Sequence, residues 1–175
     1  STWSGPVSGS VSWTYDNNYR KTSQSVNGGT TTTFTYDADD LLTGAGAMTV
    51  TRDGVNGLLS GTTLGTVTES MTYTSLGEVA TATSTVGGSG LLSTTYTRDS
   101  LGRISTKTET IQGVTTTYGY SYDVAGRLTE VTRNGVVVST YTFDANSNRL
   151  TTTTPTGTTA YTYDAQDRLL TAGGN

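Results

Sequence analysis

One ten-residue stretch limits what this chain can fold into: Tyr120-Ser121-Tyr122-Asp123-Val124-Ala125-Gly126-Arg127-Leu128-Thr129. Tyr120 and Tyr122 alternate with Ser121, the period-two pattern of a strand with two unlike faces. Asp123 suits the first position of a type I turn, where its carboxylate accepts a backbone N–H two residues on. Gly126 suits the left-handed position that closes such a turn, because a Cβ is strained there. The stretch predicts a β-hairpin with a three-residue loop and a bulge at the glycine.

The signature runs through the chain. Trp13-Thr14-Tyr15-Asp16 leads to Arg20, Phe34-Thr35-Tyr36-Asp37 to Leu41-Leu42, and Tyr96-Thr97-Arg98-Asp99 to Gly102-Arg103-Ile104. Tyr141-Thr142-Phe143-Asp144 leads to Arg149-Leu150 with an extra residue in its turn, and Tyr161-Thr162-Tyr163-Asp164 leads to Arg168-Leu169. Weaker copies are Val50-Thr51-Arg52-Asp53 and Met71-Thr72-Tyr73-Thr74, the second followed by Gly77-Glu78-Val79. Between the aspartates, with Thr74 standing in once, the steps are 21, 16, 21, 25, 24, 21 and 20 residues. A period near 20 residues marks a repeat architecture.

Turns of a second kind separate the aspartate turns: Asn27-Gly28-Gly29, Gly44-Ala45-Gly46, Leu64-Gly65-Thr66, Gly87-Gly88-Ser89-Gly90, Gln112-Gly113, Asn134-Gly135 and Pro155-Thr156-Gly157. Each repeat therefore holds two strands. The expected fold is all-β, an antiparallel meander of about fifteen strands, each roughly seven to nine residues long. Residues 1–12 read as a lead-in strand and 13–175 as tandem repeats, about eight hairpins. A three-residue loop sets Asp123 opposite Arg127 and Tyr122 opposite Leu128; Asp99–Arg103, Asp164–Arg168, Tyr163–Leu169 and Tyr36–Leu42 repeat these pairs. Each pair is weak, but a stack of them fixes a register that Thr-rich strands specify poorly. Twist makes a sheet beyond about ten strands curl, so a spiral or barrel-like wall is expected. Thr and Ser are expected on both faces of that wall.

Composition narrows the class. With 32% hydrophobic and 14% charged residues, the chain has too little apolar material for a thick two-layer core. It has far too much Tyr and Thr, both strand formers, for a disordered linker. The net charge is −4 and the basic residues sit mostly at repeat positions, without the stripe that nucleic acid requires. No apolar run is long enough to span a bilayer, and none reads as a signal peptide. The chain contains no cysteine, which leaves the redox compartment open.

Catalytic constellations are scarce. The absence of His and Cys removes Ser-His-Asp and Cys-His arrangements and the common zinc sites. All ten aspartates fall in the aspartate turns, and the four glutamates form no acid/base pair. Asp37-Ala38-Asp39-Asp40 offers clustered oxygens to calcium but lacks an EF-hand's ligand series, so turn formation is the plainer reading. No cofactor or metal is expected. Tyrosine stripes can stack on sugars or bases, but laddering against leucines on neighbouring strands is the plainer reading.

Tyr-x-Tyr-Asp-x-x-Gly-Arg-Leu, as in Tyr120 to Leu128, resembles the YD repeat of RHS proteins, and Tyr161 to Leu169 and Tyr141 to Leu150 are similar. The resemblance runs from about Trp13 to the end of the chain. That family includes bacterial RHS polymorphic toxins, cocoon-forming toxin-complex subunits, wall-associated bacterial proteins and teneurins. The resemblance implies hairpins wound into a spiral sheet that closes as a hollow β-shell around a C-terminal toxin. It implies a structural part, not an enzyme, whose partners are neighbouring repeats and an enclosed toxin domain. Self-cleaving members use an Asp-Pro motif; this sequence has no Asp-Pro, so that activity does not carry over. The chain opens on Ser1 and stops inside a repeat, and reads as a piece of a longer array in a secreted or surface-exposed bacterial protein. Two other readings stay open: adhesion to surface glycans through the Tyr/Thr face, and self-assembly through unpaired edge strands into a fibre.

Overall fold

The computed structural model describes residues 1–173; Gly174 and Asn175, the end of the expected array, lie outside the described residues. Tertiary contacts divide the chain into two compact units, Ser1–Leu91 and the residues from Leu92 on. The first unit holds β1 (Thr2–Trp3), β2 (Gly9–Tyr15), β3 (Lys21–Val26), β4 (Thr32–Tyr36), β5 (Leu42–Ala45), β6 (Met48–Arg52), β7 (Leu59–Leu64), β8 (Val67–Tyr73) and β9 (Val79–Val86). β10 (Ser89–Arg98) leads into the second unit. There it is followed by β11 (Ile104–Ile111), β12 (Val114–Tyr122), β13 (Leu128–Arg133), β14 (Val136–Phe143), β15 (Arg149–Thr154), β16 (Gly157–Tyr163) and β17 (Leu169–Ala172).

Within each unit every strand pairs antiparallel with the next in sequence. The all-β meander of hairpins is therefore as read from the sequence, and no helix occurs among the described residues. The count differs: seventeen strands, not about fifteen. Their lengths run from two to ten residues. Several second-kind turns are also shorter than expected. The 44–46 turn moves to Gly46-Ala47, because Ala45 pairs with Met48. Ser89 and Gly90 belong to β10, and Gly157 opens β16. The lead-in segment carries β1 and the start of β2, so residue 12 falls inside a strand.

The aspartate turns depart from expectation more informatively. Asp144 closes a three-residue loop like the others, since its N–H bonds to the carbonyl of Asn148. The longer loop is at Asp53, whose N–H reaches Leu58. Arg149 consequently pairs with Phe143, the place Leu128 takes opposite Tyr122. Asn148, not Arg149, occupies the position of Arg127.

A second irregularity recurs at every aspartate turn, the decayed copies included. Ser121 pairs with Glu130 and Tyr122 with Leu128, leaving Thr129 as an extra residue. The same slip leaves out Thr22, Thr43, Ser60, Ala80, Ser105, Leu150 and Leu170 in the other seven. The expected bulge at the glycine is thus joined by one three residues further on. A bulge increases local twist and switches the face that following side chains occupy. Here it brings Leu128 opposite Tyr122 and Val131 opposite Tyr120, so residues three apart share one face.

That switch sorts the side chains. Trp13 and Tyr15, Phe34 and Tyr36, Met71 and Tyr73, Tyr118, Tyr120 and Tyr122, and Tyr161 and Tyr163 alternate with Thr or Ser, or with Gly or Ala at single positions. Between strands the hydroxyls meet each other: Thr68 with Thr85, Ser70 with Thr83, Thr72 with Thr81, Thr110 with Thr115, Thr142 with Thr151 and Thr162 with Thr171. Thr and Ser therefore concentrate on one face of these strands instead of filling both. The core is correspondingly thin. Val50 and Thr94, 7% and 6% exposed, are the buried side chains among the described residues other than glycine. Cohesion comes chiefly from the backbone ladders and from side chains lying flat across adjacent strands.

Candidate functional site

The aspartate turn is a four-part clasp. In the Asp99 hairpin, the Asp99 N–H donates to the Arg103 carbonyl, and the Gly102 N–H to the Asp99 carbonyl. Asp99 Oδ1 accepts from the N–H groups of Leu101 and Arg103, and Oδ2 accepts from Arg103 Nε at 2.7 Å. Asp16 does the same with Asn18 and Arg20, and Asp164 with Gln166 and Arg168. Asp123 repeats the bonds to Arg127. In the Asp144 hairpin, Asn148 Nδ2 replaces the guanidinium at 3.0 Å. Asp37 keeps the backbone bonds to Asp39 and Leu41 without a cation, and Thr74 offers its hydroxyl to the N–H groups of Leu76 and Glu78.

These bonds hold the Asp99, Asp123, Asp144 and Asp164 carboxyls below the usual aspartate range. For Asp123 and Asp164 the backbone N–H of the arginine is the main cause, followed by its side chain. For Asp99 the Arg103 side chain leads, and for Asp144 the Asn148 amide. A carboxylate engaged in this way is a turn component and is poorly placed to accept a substrate proton. The Asp37-to-Asp40 cluster is dispersed likewise: Asp37 Oδ1 serves its own turn and Asp40 pairs with Arg20. Among the described residues no three potential ligands gather as a metal site.

At four of the turns the tyrosine that precedes them ties the turn to the hairpin before. Tyr36 Oη donates to the Lys21 carbonyl at 2.8 Å, and Tyr73 Oη to that of Leu59 at 2.8 Å. Tyr122 Oη donates to Ile104 at 2.9 Å and Tyr163 Oη to Arg149 at 3.0 Å. Arg52 takes the same role with its Nε, bonding the Leu42 carbonyl at 3.1 Å. Each acceptor opens the strand returning from the preceding aspartate turn. The clasp arginines stack on the ring that precedes the next turn: Arg20 over Tyr36 at 5.0 Å, Arg103 over Tyr122 at 4.6 Å and Arg127 over Phe143 at 4.9 Å. Arg149 lies over Tyr141 of its own hairpin at 5.2 Å. Sequence reasoning found the rings but missed these bridges. The available signal was the paired spacing from each Tyr-Asp to the residue after the preceding clasp.

In the second unit the aromatic face encloses a shallow hollow lined by Tyr96, Ile104, Lys107, Tyr120, Tyr122 and Leu128. Lys107 pairs across the ladders with Tyr96 and Tyr118 and bonds to Glu109, which raises the pKa of its ammonium. Burial pushes up the Tyr120 phenol. Tyr161, the other ring singled out for stacking, is engaged with Thr152 Oγ1.

The architecture has relatives. A family model, the teneurin YD-shell, matches residues 2–175. The chain belongs to this family. Its aspartate-turn hairpins are YD repeats of the RHS type, as the Tyr120-to-Leu128 signature implied. No curated protein matches the sequence. Solved structures do. The Tc holotoxin pore of Photorhabdus luminescens, with a mutated TccC3, is 16% identical with a TM-score of 0.78, covering 91% of this chain and 10% of that one. The crystal structure of TcdB2-TccC3 is 16% identical with a TM-score of 0.76, covering 93% and 10%. The chain thus spans about a tenth of the length of the solved chains it matches, and at this identity the likeness is one of fold. No helix among the described residues is long and apolar enough to cross a membrane.

Proposed function

We propose that this chain is a stretch of wall in a longer YD-repeat shell, which encloses a C-terminal toxin or other cargo in a secreted or cell-surface bacterial protein. Its work is structural rather than catalytic. One observation carries the reading: in each unit the hairpins form a hydrogen-bonded layer with almost no buried side chains. A globular binding or catalytic domain needs a core to hold a site rigid, whereas a wall needs continuity from hairpin to hairpin. Membership of a shell family and likeness to Tc toxin chains support the same role. In its natural source the polypeptide is expected well above 18.3 kDa, with a C-terminal segment resistant to protease until the repeats are unfolded. A free polypeptide of that size, or a cargo cleaved as fast in the intact protein as in the unfolded one, would overturn the reading.

A second reading rests on the aromatic hollow. Neither Tyr96 nor Tyr120 uses its hydroxyl in a hydrogen bond among the described residues, and with Lys107 they present the ring-plus-polar surface that suits a sugar. Glycan-array binding abolished by Tyr120→Ala would favour adhesion; an array without hits removes that reading.

A further inference from the structure

All eight aspartate-type loops close on a left-handed residue with φ between 61° and 82°, and not all of these residues are glycine: Tyr19, Asp40, Gly57, Gly77, Gly102, Gly126, Ser147 and Asp167. A side chain is strained in this conformation, so its presence needs a reason. For Asp40, Ser147 and Asp167 the reason lies in the neighbouring hairpin. Within the two units, the residue that completes each clasp touches the left-handed residue of the next hairpin. Arg20 pairs with Asp40. Arg127 Nη1 reaches Ser147 Oγ at 3.3 Å and the Asp144 carbonyl at 2.8 Å. Asn148 Nδ2 bonds Asp167 Oδ1 at 2.7 Å.

Where the clasp residue is apolar, the next left-handed residue is glycine. Leu41 Cδ1 lies 2.8 Å from where a Cβ on Gly57 would sit, and Leu58 Cδ1 lies 3.8 Å from that of Gly77. Arg103 is the one donor that meets a glycine, with Nη1 3.7 Å from the Cβ position of Gly126. All six junctions between successive aspartate hairpins inside the units follow this rule. Leu meets glycine; Arg or Asn meets an acceptor or glycine.

We propose that the clasp residue of one hairpin and the left-handed residue of the next form a matched pair that specifies which hairpin packs against which. Arg20–Asp40, Arg127–Ser147 and Asn148–Asp167 are then the recognition residues, and the glycines at 57 and 77 are their apolar counterpart. The array needs such a device. Its strands are Thr-rich and nearly interchangeable, so backbone ladders alone would pair hairpins in the wrong order or register. The pairs penalise the wrong order most where an apolar clasp meets an acceptor: Leu41 set against Asp167 would leave a strained carboxylate without a donor, whereas Arg20 set against Gly57 would lose only its Asp40 acceptor and keep Asp16, as Arg103 keeps Asp99 beside Gly126.

One substitution placed at two sites tests the rule, because Gly77 and Gly126 share their backbone conformation, with φ 79° and 82°. In the full chain, Gly126→Asp faces Arg103 and Gly77→Asp faces Leu58. Amide hydrogen exchange of the flanking strands is the readout. Gly126→Asp is expected to keep protection within about twofold of the parent, while Gly77→Asp lowers it by about tenfold; Leu58→Arg added to Gly77→Asp restores most of the loss. The asparagine substitutions, which the left-handed region tolerates better, give the same contrast if an aspartate variant fails to fold. Equal losses at the two sites, including failure of all four variants to fold, or no rescue by Leu58→Arg, overturn the proposal.

Discussion

Replacing Tyr122 by Phe removes one oxygen atom and leaves the stacked ring. In the parent that oxygen donates to the Ile104 carbonyl at 2.9 Å, on the strand returning from the preceding clasp. A hydrogen bond of this kind contributes about 0.5–1.5 kcal/mol net, and the half-buried carbonyl left behind is only partly rehydrated. The expected loss is therefore about 1 kcal/mol, roughly a fivefold fall in amide protection. It should be concentrated in β11 and β12, because stability in a repeat array is held between neighbours. Tyr36→Phe, Tyr73→Phe and Tyr163→Phe remove equivalent bonds to Lys21, Leu59 and Arg149 and should behave alike. Phe143 supplies the reverse experiment. Its ring already stacks with Arg127 at the equivalent position but carries no donor. Phe143→Tyr should gain a bond to the Leu128 carbonyl and raise local protection by a similar factor. Hydrogen exchange read by mass spectrometry distinguishes these outcomes strand by strand. Unchanged protection in all four Tyr→Phe variants would show that the rings act through stacking alone and refute the bridging role.

Acid should weaken the array in a defined window. The folded carboxyls of Asp99, Asp123 and Asp164 lie below the ordinary aspartate value of 3.8, so the unfolded chain binds protons more readily there. Their stabilisation is complete above 3.8 and is lost as pH falls through the depressed folded values. A denaturation midpoint that rises on acidification through this range would contradict the clasp. Strand glycines offer a steric contrast. A Cβ on Gly61 would sit 2.5 Å from the backbone carbonyl oxygen of Glu69, which cannot turn away, so Gly61→Ala should cost about 1–3 kcal/mol. At Gly119 the obstacle at 2.5 Å is the Thr132 hydroxyl, which can rotate, and chemical denaturation should show the smaller loss for Gly119→Ala.

Much of the hairpin chemistry was legible in the chain itself. The Tyr-Asp and Gly-Arg spacing announces a turn whose bonds are local, between residues two and four apart, and such bonds form wherever the chain is placed. What went unread was non-local. The slip at Thr129 depends on how β13 meets β12, and without it simple alternation assigns Val131 to the wrong face. At Asp144 the sequence predicts a longer turn, because Arg149 lies at the spacing where a clasp arginine would sit one residue late. Asn148 fills that role because its side-chain amide reaches the same carboxylate oxygen, at 3.0 Å.

The sequence by itself determined the class of structure, the period and the turn that begins each repeat, because a left-handed closing residue and an Asx bond are properties of a few consecutive residues. Only the tertiary structure decided which face collects the aromatics, which carbonyl each tyrosine reaches and why Asp40, Ser147 and Asp167 tolerate a strained backbone. Those answers depend on the hairpin alongside, about twenty residues away in sequence, and side-chain reach across a sheet is not encoded in local spacing.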